Sequence, residues 1–414
     1  MTSPATAIPI LAWARSPVAP VGGALSALAP HALAAPVLQA LLQRAGLAPE
    51  AVDAVVLGNA LGAGGNPARM LALAAGLELR CAAHSVDSQC CSGLDAVAMA
   101  VGLLQSGQAE IVVAGGAEAW SRAPIRQTRP RHAGERAQTY ERPPFAPDPA
   151  RDPDLLQSAA DYALAQRLSR VQQESHALQS HRRALAGQER LQREIVPMAG
   201  LAHDSYPRAL SAERAARMPV VARGAPTAAD RHPDADHDHY ALSALTISAR
   251  ADGAALLLLA TPQACRRWQL QPRAQWLASA SIGSAPETPL LAAALASRQA
   301  LARGAWLLQR PALCAADLAA LELHDAFAVQ ALAFCAALGL PLDAINPLGG
   351  GLARGHPIGA SGAVALVRAL GQLELQSQQP GRVEQALALA SIAGAGGIGA
   401  ACLVQWLGAA HAER

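Results

Sequence analysis

In the first part of the chain, segments with a helical spacing of apolar residues alternate with segments that have a strand-like spacing. The spacing predicts a helix over 36–45, with Pro36 suited to the first helical position and Gly46 to the stop. It then predicts buried strands over 51–59 and 110–116, the first of which ends in a Gly-Asn turn. Alternation of this kind favours an α/β fold built from layers.

The same alternation resumes at 243 and continues to the end of the chain. Here the pattern predicts a strand, a turn and a helix over 321–340, and a glycine-rich loop that leads into a helix over 345–373. Two buried strands around a glycine turn are predicted over 387–407. The two ends of the chain therefore share one kind of organisation.

The region 121–242 between them differs in composition, because it is rich in Arg, Pro, Gln and His. One helix is predicted in it, over 158–186, with Ser169 as a capping residue ahead of the segment VQQESHALQSHRRALA. The stretch 229–240 is polar and contains proline, which is typical of a surface loop. The change in composition predicts an inserted, more solvated region.

The two halves also repeat a short pattern. Segments 41–59 and 307–325 both open on Leu-Leu-Gln-Arg, continue through a short turn and end in a strand, at an offset of 266 residues. At the same offset Cys90 falls on His356. The match predicts a duplicated fold, in which a pseudo-twofold axis brings Cys90 and His356 together at the N-termini of two equivalent helices.

Composition narrows the function classes. The 414 residues carry 52% apolar and 15% charged residues and a net charge of +2, enough chain for two or three domains and no charge excess that would suggest nucleic acid or a membrane as a partner. No run of 18 apolar residues and no basic segment ahead of the first apolar run is present, which argues against a membrane span and a signal peptide. Lysine is absent, which excludes Schiff-base lysines and a Walker-A loop. Seven cysteines, an odd number, favour reduced thiols and a cytoplasmic protein.

Cys90 is the first candidate for chemistry. It follows a strand-like segment and precedes a helical pattern that begins with Ser92 and Gly93. A cysteine at such an elbow faces the positive end of the helix dipole, which is expected to lower its pKa, and backbone N–H groups there can stabilise an oxyanion. The alternatives are that Cys90 is a small core residue, or that Cys91 is the reactive thiol.

Two histidines are the other candidates. His356 lies in the glycine-rich segment ARGHPIGASG, where the backbone can approach a substrate closely. His324 directly follows a buried strand, and strand ends are where α/β sheets build their sites. A structural role is the competing interpretation for each of them.

Three other features do not predict a site. The segment GAGGIG at 394–399 matches a dinucleotide motif, but only 15 residues follow it, too few for the required unit. The arginine-rich run 122–151 is typical of a solvated face, or of one that meets an anionic cofactor or a partner subunit. No metal site is predicted either, because no ligand motif has the spacing of the acidic and histidine residues in the 229–240 loop. Those residues are His232, Asp234, Asp236, His237, Asp238 and His239.

Several motifs together cover nearly the whole chain. They are GNALGAGGNPARMLALAAGLE, VDSQCCSGLDAV and GGAEAWSRAP in the first part, LSRVQQESHALQSHRRA, EIVP and ADGAALLLLA in the middle, and HDAFA and NPLGGGLARGHPIGASGA in the last part. With these motifs the chain resembles the thiolase family, the acetyl-CoA acetyltransferases and 3-ketoacyl-CoA thiolases.

The resemblance implies an α/β fold of the thiolase type, a duplicated five-layer αβαβα arrangement with an inserted loop domain. It implies an N-terminal half over 1–120, completed by 243–266, and a C-terminal half over 267–414. The inserted domain over 121–242 would supply coenzyme A contacts and oligomer contacts. Coenzyme A thioesters as substrates, no bound cofactor, a homodimer or homotetramer and a part in lipid metabolism are also implied.

The resemblance further implies roles for single residues. Cys90 matches the nucleophile that becomes acylated, which favours it over Cys91, and His356 matches the histidine that activates it. His324 matches a position that holds Asn or His in the family and helps to hold the thioester oxygen. The positions near the pantetheine arm are matched by Ser248, Ala326 and Phe327.

One part of the family's machinery is missing from the sequence. Most thiolases have a second catalytic cysteine, an acid/base for the α-proton, in a C-x-G-G-G-x-G motif, and Ala393 occupies that position here. A subgroup has this cysteine within HDCF, where this chain has Ala326. Because proton transfer by a positioned group is worth about 10²–10⁴-fold, ordinary thiolysis or Claisen condensation should be impaired.

Three functions therefore stay open. The first is a thiolase-type acyltransferase that transfers its acyl group to acetyl-CoA or coenzyme A. The second is a decarboxylative condensation of the ketoacyl-synthase kind, or acyl transfer to another acceptor, with Cys90, His324 and His356 as its Cys-His-His set. The third is a scaffold subunit with little turnover, which the intact cysteine and histidine motifs argue against.

Overall fold

The computed structural model describes residues 7–62, 64–225, 237–378 and 385–408. The strands are β1 (Ile8–Arg15), β2 (Ala19–Pro20), β3 (Ala54–Gly58), β4 (Ala82–Val86), β5 (Ile111–Ala119), β6 (Arg126–Gln127), β7 (Thr139–Tyr140), β8 (Val220–Ala222), β9 (Leu242–Ser243), β10 (Ala251–Ala260), β11 (Ala274–Gly283), β12 (Leu318–His324), β13 (Leu387–Gly394) and β14 (Ile398–Trp406). The helices are α1 (Pro30–Ala45), α2 (Pro67–Ala74), α3 (Ser92–Gln105), α4 (Leu155–Ala165), α5 (Arg170–Ala186), α6 (Gln188–Leu191), α7 (Ala212–Ala216), α8 (Pro262–Trp268), α9 (Ala292–Leu307), α10 (Ala328–Leu338), α11 (Gly351–Arg354) and α12 (Ser361–Ser377).

One large sheet runs through both halves in the order β12-β13-β14-β11-β1-β10-β5-β3-β4, with β2 beside β10. Antiparallel pairing of β1 with β11 joins the halves, from Ile8 opposite Trp276 to Ile10 opposite Ala274. Strand β10, which follows the inserted region, lies between β1 and β5 of the first half.

Alternating side chains divide the core into layers. On β10, Leu257 and Leu259 face a central cluster that contains α3 and α12, whereas Leu256 and Leu258 face α1 and α2 on the other side. Strands β11 to β14 likewise lie between the central helices and α9 and α10. The two halves of the sheet therefore form two separate layers on either side of the central helices. The order of layers is helix, sheet, helix, sheet and helix, which confirms the predicted five-layer α/β fold. The period of two along each buried strand produces this sandwich because both faces are apolar.

The internal repeat is visible in the elements. The short 3-10 turn Pro49–Ala51 before β3 has its counterpart at Ala315–Asp317 before β12, at the offset found in the sequence. Helix α3 touches the 3-10 turn that leads into α12 at equivalent glycines, because a Cβ atom on Gly93 would lie 2.9 Å from the carbonyl oxygen of Gly359. Small residues at this contact let the two helices approach each other at their N-terminal ends.

Two predicted helices have different bounds in the structure. Helix α1 begins at Pro30, so Pro36 lies inside the helix and not at its first position. Gly46, at φ 63°, does end it. The single helix predicted over 158–186 is two helices, α4 and α5, with Ser169 capping the second through a reciprocal capping box. The predicted capping residue, Ser169, marks the start of the second helix, so the sequence does carry a local signal for the interruption.

A buried cluster of charges joins the inserted region to the first half. The Arg15 side chain, fully buried, donates from Nε to Glu194 Oε1 at 2.7 Å and from Nη1 to Asp204 Oδ1 at 2.6 Å. Burial raises the pKa of Asp204, but the charge and hydrogen bond of Arg15, together with Arg354 and the Val18 N–H, hold it below its usual range. The cluster therefore fixes the inserted region against strand β1.

We expect Arg15→Met to lower the free energy of unfolding by about 3–5 kcal/mol, because it removes the buried cation that pairs with Asp204 and Glu194 and leaves Glu194 only the longer contact with Arg368, at 3.3 Å. Urea unfolding followed by circular dichroism at neutral pH measures the loss. Arg80→Met is the matched control, since Arg80 pairs with Asp53 and Glu78 at the surface. Equal unfolding midpoints for the Arg15 variant and the wild type would contradict the structural role of the cluster.

Candidate active site

Cys90 lies on the connection between β4 and the central helix α3. The preceding residue, Gln89, has a left-handed backbone with φ 56°, which turns the chain sharply before the helix begins at Ser92. Cys91 caps this helix and is fully buried, whereas Cys90 keeps 8% of its surface exposed. The turn therefore directs the two neighbouring thiols to different surroundings.

The structure brings Cys90 and His356 together, as the repeat predicts. His356 Nε2 lies 3.3 Å from Cys90 Sγ, and His356 Nδ1 lies 2.7 Å from Ser361 Oγ. Since the Ser361 hydroxyl donates to the carbonyl oxygen of Pro357 at 3.1 Å, its oxygen is free to accept from Nδ1–H. This arrangement favours the tautomer whose Nε2 lone pair faces the thiol.

The backbone of His356 is held on both sides. Its N–H donates to the carbonyl oxygen of Ala249 at 2.7 Å, and its carbonyl oxygen accepts from Trp120 Nε1 at 3.0 Å. Gly355 precedes it with φ 107°, and a Cβ atom there would lie 2.8 Å from Ala251 Cβ. Only glycine fits this position, which explains the glycine ahead of the histidine.

Both groups are neutral near pH 7. Burial raises the pKa of Cys90 to about 11, although the backbone N–H groups of Ala395 and of Cys90 itself oppose the shift. Burial lowers the pKa of His356 to about 4. The predicted lowering of the cysteine pKa by the helix dipole is therefore wrong, because desolvation outweighs the dipole. The resting pair is a thiol and an imidazole that can accept its proton.

His324 lies against His356. The two rings stack with their centroids 4.3 Å apart, and neither nitrogen of His324 has a hydrogen-bond partner among the described residues. Burial, aided by the nearby His356, lowers the pKa of His324 well below its usual range. The next residue, Asp325, accepts from His176 Nε2 at 3.0 Å, a contact that anchors the segment. The neutral ring therefore supports the plane of His356.

A cavity of 470 Å³ opens in front of Cys90 and His356. Its walls are mainly apolar and come from both halves and the inserted region; they include Ala60, Leu61, Cys90, Phe145, Leu155, Leu156, Ile247, Leu290, Phe327, His356 and Ala393. His324 is not among the described residues that line it. A cavity of this size with a thiol and an imidazole in its wall is typical of a small-molecule site.

The three residues matched to the pantetheine arm, Ser248, Ala326 and Phe327, all line this cavity. The Ser248 hydroxyl donates to the carbonyl oxygen of Gly351 at 2.6 Å, and its N–H donates to the carbonyl oxygen of Ala326 at 2.8 Å. These bonds tie the segment that follows the inserted region to the loop after His324 and to the start of α11.

The position of the missing cysteine also faces the cavity. Ala393 and Ala395 line it, at the end of β13 and in the turn that follows. Cys91 does not replace the thiol, because it is enclosed in the core with its Sγ 3.9 Å from the carbonyl oxygen of Ile392. Among the described residues that line the cavity, Cys90 is the one cysteine.

Three residues that support the site were not predicted from the sequence. Ser361 and Trp120 hold His356, and neither has a local pattern that reveals this contact. Glu118 accepts from the backbone N–H groups of Ala60 at 2.8 Å and Gly359 at 3.0 Å, and burial raises its pKa to about 7. Its motif, GGAEAW, was a signal for the family but not for this role.

Other sequence features stay outside the site. His232, Asp234 and Asp236 lie outside the described residues. Among the residues that the structure does describe, no group of three potential ligands could hold a metal ion. One helical stretch of the described chain, Ile358–Ser377, is long and apolar enough to cross a membrane, but 83% of it is buried in the protein. The glycine turn within 394–399 joins β13 to β14, as predicted, with Gly396 and Gly397 both at positive φ.

Comparisons with known proteins agree over nearly the full length. The family profile described as thiolase, N-terminal domain, matches residues 8–263, and that described as thiolase, C-terminal domain, matches 270–406. A β-ketoadipyl-CoA thiolase of Pseudomonas aeruginosa is 35% identical over 91% of this chain and 96% of its own. An acetyl-CoA acetyltransferase of Chromobacterium violaceum is 32% identical over 96% of this chain and 99% of its own. The crystal structure of the Bacillus anthracis acetyl-CoA acetyltransferase superimposes with a TM-score of 0.83 and 31% identity, over 98% of this chain and 100% of that chain.

Proposed function

The chain belongs to the thiolase family, and we propose that it works as an acyltransferase through an acyl-enzyme on Cys90, formed from an acyl-CoA thioester. The contact between His356 Nε2 and Cys90 Sγ, 3.3 Å long, carries this proposal. Neutral imidazole beside a neutral thiol is the arrangement from which a general base activates a nucleophile.

The acylation step uses groups that are all in place. As Sγ attacks the thioester carbonyl carbon, His356 takes the thiol proton, and the oxyanion is stabilised by the backbone N–H groups of Cys90 and Ala395 that approach the sulfur. The intermediate collapses with loss of coenzyme A thiolate, which takes the proton back from His356. The product is a thioester on Cys90 and free coenzyme A.

The second half-reaction transfers the acyl group to coenzyme A or to acetyl-CoA, as thiolysis or Claisen condensation. Ala393 supports a second candidate, decarboxylative condensation, because no thiol stands where the family takes the α-proton. In that reaction the loss of carbon dioxide from a malonyl thioester supplies the electron pair that attacks the acyl carbon, and Cys90 leaves as the thiolate. His324 completes the Cys-His-His set of this chemistry through its stacking on His356, since it does not itself line the cavity.

Intact-protein mass spectrometry distinguishes these reactions. The protein is mixed with acetyl-CoA, longer acyl-CoA thioesters and malonyl-CoA, and the mass added to the protein and the carbon dioxide released are measured. The decarboxylative reaction is supported if the acyl adduct disappears, and a β-ketoacyl product and carbon dioxide form, only when malonyl-CoA is present. An absence of any adduct with every thioester would contradict the acyl-enzyme and leave the scaffold interpretation.

We expect Ala393→Cys to raise acetoacetyl-CoA thiolysis, because it returns a proton acceptor to the cavity wall where the family has one. The added sulfur overpacks the site by at most about 1–3 kcal/mol. Steady-state thiolysis and α-proton exchange of bound acyl-CoA, measured by NMR, report the gain. Either of two results would contradict this expectation: wild-type thiolysis at roughly 1–10³ per second, or no gain in a folded variant that still becomes acylated.

We propose that the inserted region 121–242, with Ser248, Ala326 and Phe327, holds the pantetheine arm, since both line the cavity together. Assembly as a homodimer or homotetramer is proposed on the exposed edge strand β4, which within the described residues pairs on one side only, with β3. All seven cysteines are free thiols, which supports a reducing, cytoplasmic setting. Light scattering after size-exclusion chromatography tests the assembly.

A further inference from the structure

Three arginines line the cavity, and their charges are balanced differently. Arg142 forms an ion pair with Asp152, and Arg250 lies 3.4 Å from Glu141. Arg126 has no acidic partner among the described residues. The cavity therefore holds a guanidinium whose charge the described chain does not neutralise.

Arg126 is fixed in place by the backbone. It lies at the base of the hairpin formed by β6 and β7, partly buried, and its Nη2 donates to the carbonyl oxygens of Leu61 at 2.9 Å and Ala60 at 3.4 Å. Within the described chain its Nε and Nη1 donate to nothing. A guanidinium held in this way offers preorganised donors to an anion in the cavity.

The anchor of Arg126 lies on a wall of the cavity that is connected to the loop carrying His356. Ala60 and Leu61 follow strand β3, and the Ala60 N–H is bound by Glu118, which also binds the N–H of Gly359 near the catalytic histidine. This wall is built from the ends of β3 and β5, whereas Ser248, Ala326 and Phe327, which are proposed for the pantetheine arm, follow β9 and β12. Although Arg126 belongs to the inserted region, its guanidinium is thus held by the wall that Glu118 connects to the His356 loop, within the cavity that also contains Cys90.

We infer that the site accepts acyl groups that end in a carboxylate, and that Arg126 binds this carboxylate. The inference rests on the proposed acyl-enzyme at Cys90. The mainly apolar walls suit the methylene chain of such an acyl group, and at the partly buried Arg126 its carboxylate is screened less than at the open surface. A monocarboxylic acyl group of the same length leaves the guanidinium unpaired.

The test compares thioesters of equal chain length with and without the terminal carboxylate. Rates of Cys90 acylation are measured by rapid mixing and intact mass spectrometry for succinyl-CoA against butyryl-CoA, and for glutaryl-CoA against pentanoyl-CoA. We expect the wild type to react faster with the dicarboxylic member of each pair by roughly 10–100-fold, the value of a hydrogen bond to a charged group. Arg126→Gln should remove most of this ratio, and Arg126→Lys should keep more of it than Gln does.

Arg129→Gln is the matched control, because Arg129 is exposed in the same hairpin and does not line the cavity. It should keep the wild-type ratio. Equal wild-type rates within each pair would overturn the inference while leaving the acyl-enzyme intact. It would also be overturned if Arg126→Gln slowed both members of a pair equally, since that result points to the phosphates of coenzyme A. A protein that no thioester acylates would instead refute the proposed function on which the inference rests.

Discussion

Cys90→Ala should form no acyl-enzyme with any acyl-CoA thioester. The variant lacks the one thiol that lines the cavity in the described chain, and the neighbouring Cys91 is fully buried behind it. A sulfur-to-hydrogen change at a site with 8% exposure leaves the fold intact. Intact mass spectrometry should show the unmodified mass after incubation with acetyl-CoA, and peptide mapping of the wild type should place the adduct on Cys90.

Cys91→Ala is the control for this result. Its sulfur packs in the central core near Ile392, so its removal should cost on the order of 1 kcal/mol of stability and leave most of the acylation. The two variants differ by one position in the sequence and by their exposure to the cavity. Acylation confined to Cys91 would overturn the assignment of the nucleophile.

Much of this site could be predicted from the sequence, because the internal repeat indicates a pseudo-twofold relation between the two halves. The offset that relates the two Leu-Leu-Gln-Arg segments also relates Cys90 to His356, and the structure places these side chains in contact. Helix α3 and the turn that leads into α12 meet at Gly93 and Gly359, which produces that contact. The face on which each buried strand residue lies could also be predicted from the sequence, since alternate side chains of a strand point to the same layer.

The remaining features are contacts between residues distant in the sequence, for which no local pattern exists. Ser361, which orients His356, is an ordinary serine at the start of a helix, and Arg126 belongs to a run of arginines that resembles a solvated face. The direction of the Cys90 pKa depends on how completely the fold removes water around it. The local sequence indicates the helix whose dipole lowers the pKa of the thiol, but it does not indicate the burial that raises the pKa by more.

His356→Ala should slow acylation by about 10²–10⁴-fold, the usual contribution of a positioned general base. The wild-type thiol, with its pKa of about 11, is almost entirely protonated at neutral pH, so its reactivity depends on Nε2 of His356 taking the proton. His181→Ala is the matched control, because His181 is also buried with a pKa of about 4 but lies away from the cavity. It separates the cost of removing a buried histidine from the loss of the base.

The pH dependence then distinguishes a base from a structural histidine. Because burial lowers the pKa of His356 to about 4, its Nε2 can accept a proton throughout the neutral range, and wild-type acylation should stay level there and fall only as the pH drops through about 4. Without the base only the thiolate reacts, so the rate of His356→Ala should rise about tenfold for each pH unit below the pKa of the thiol. Acylation measured from pH 6 to 9 should therefore give a flat profile for the wild type and a rising one for the variant. Two flat profiles that differ only in height would mean that His356 holds the site in shape and moves no proton.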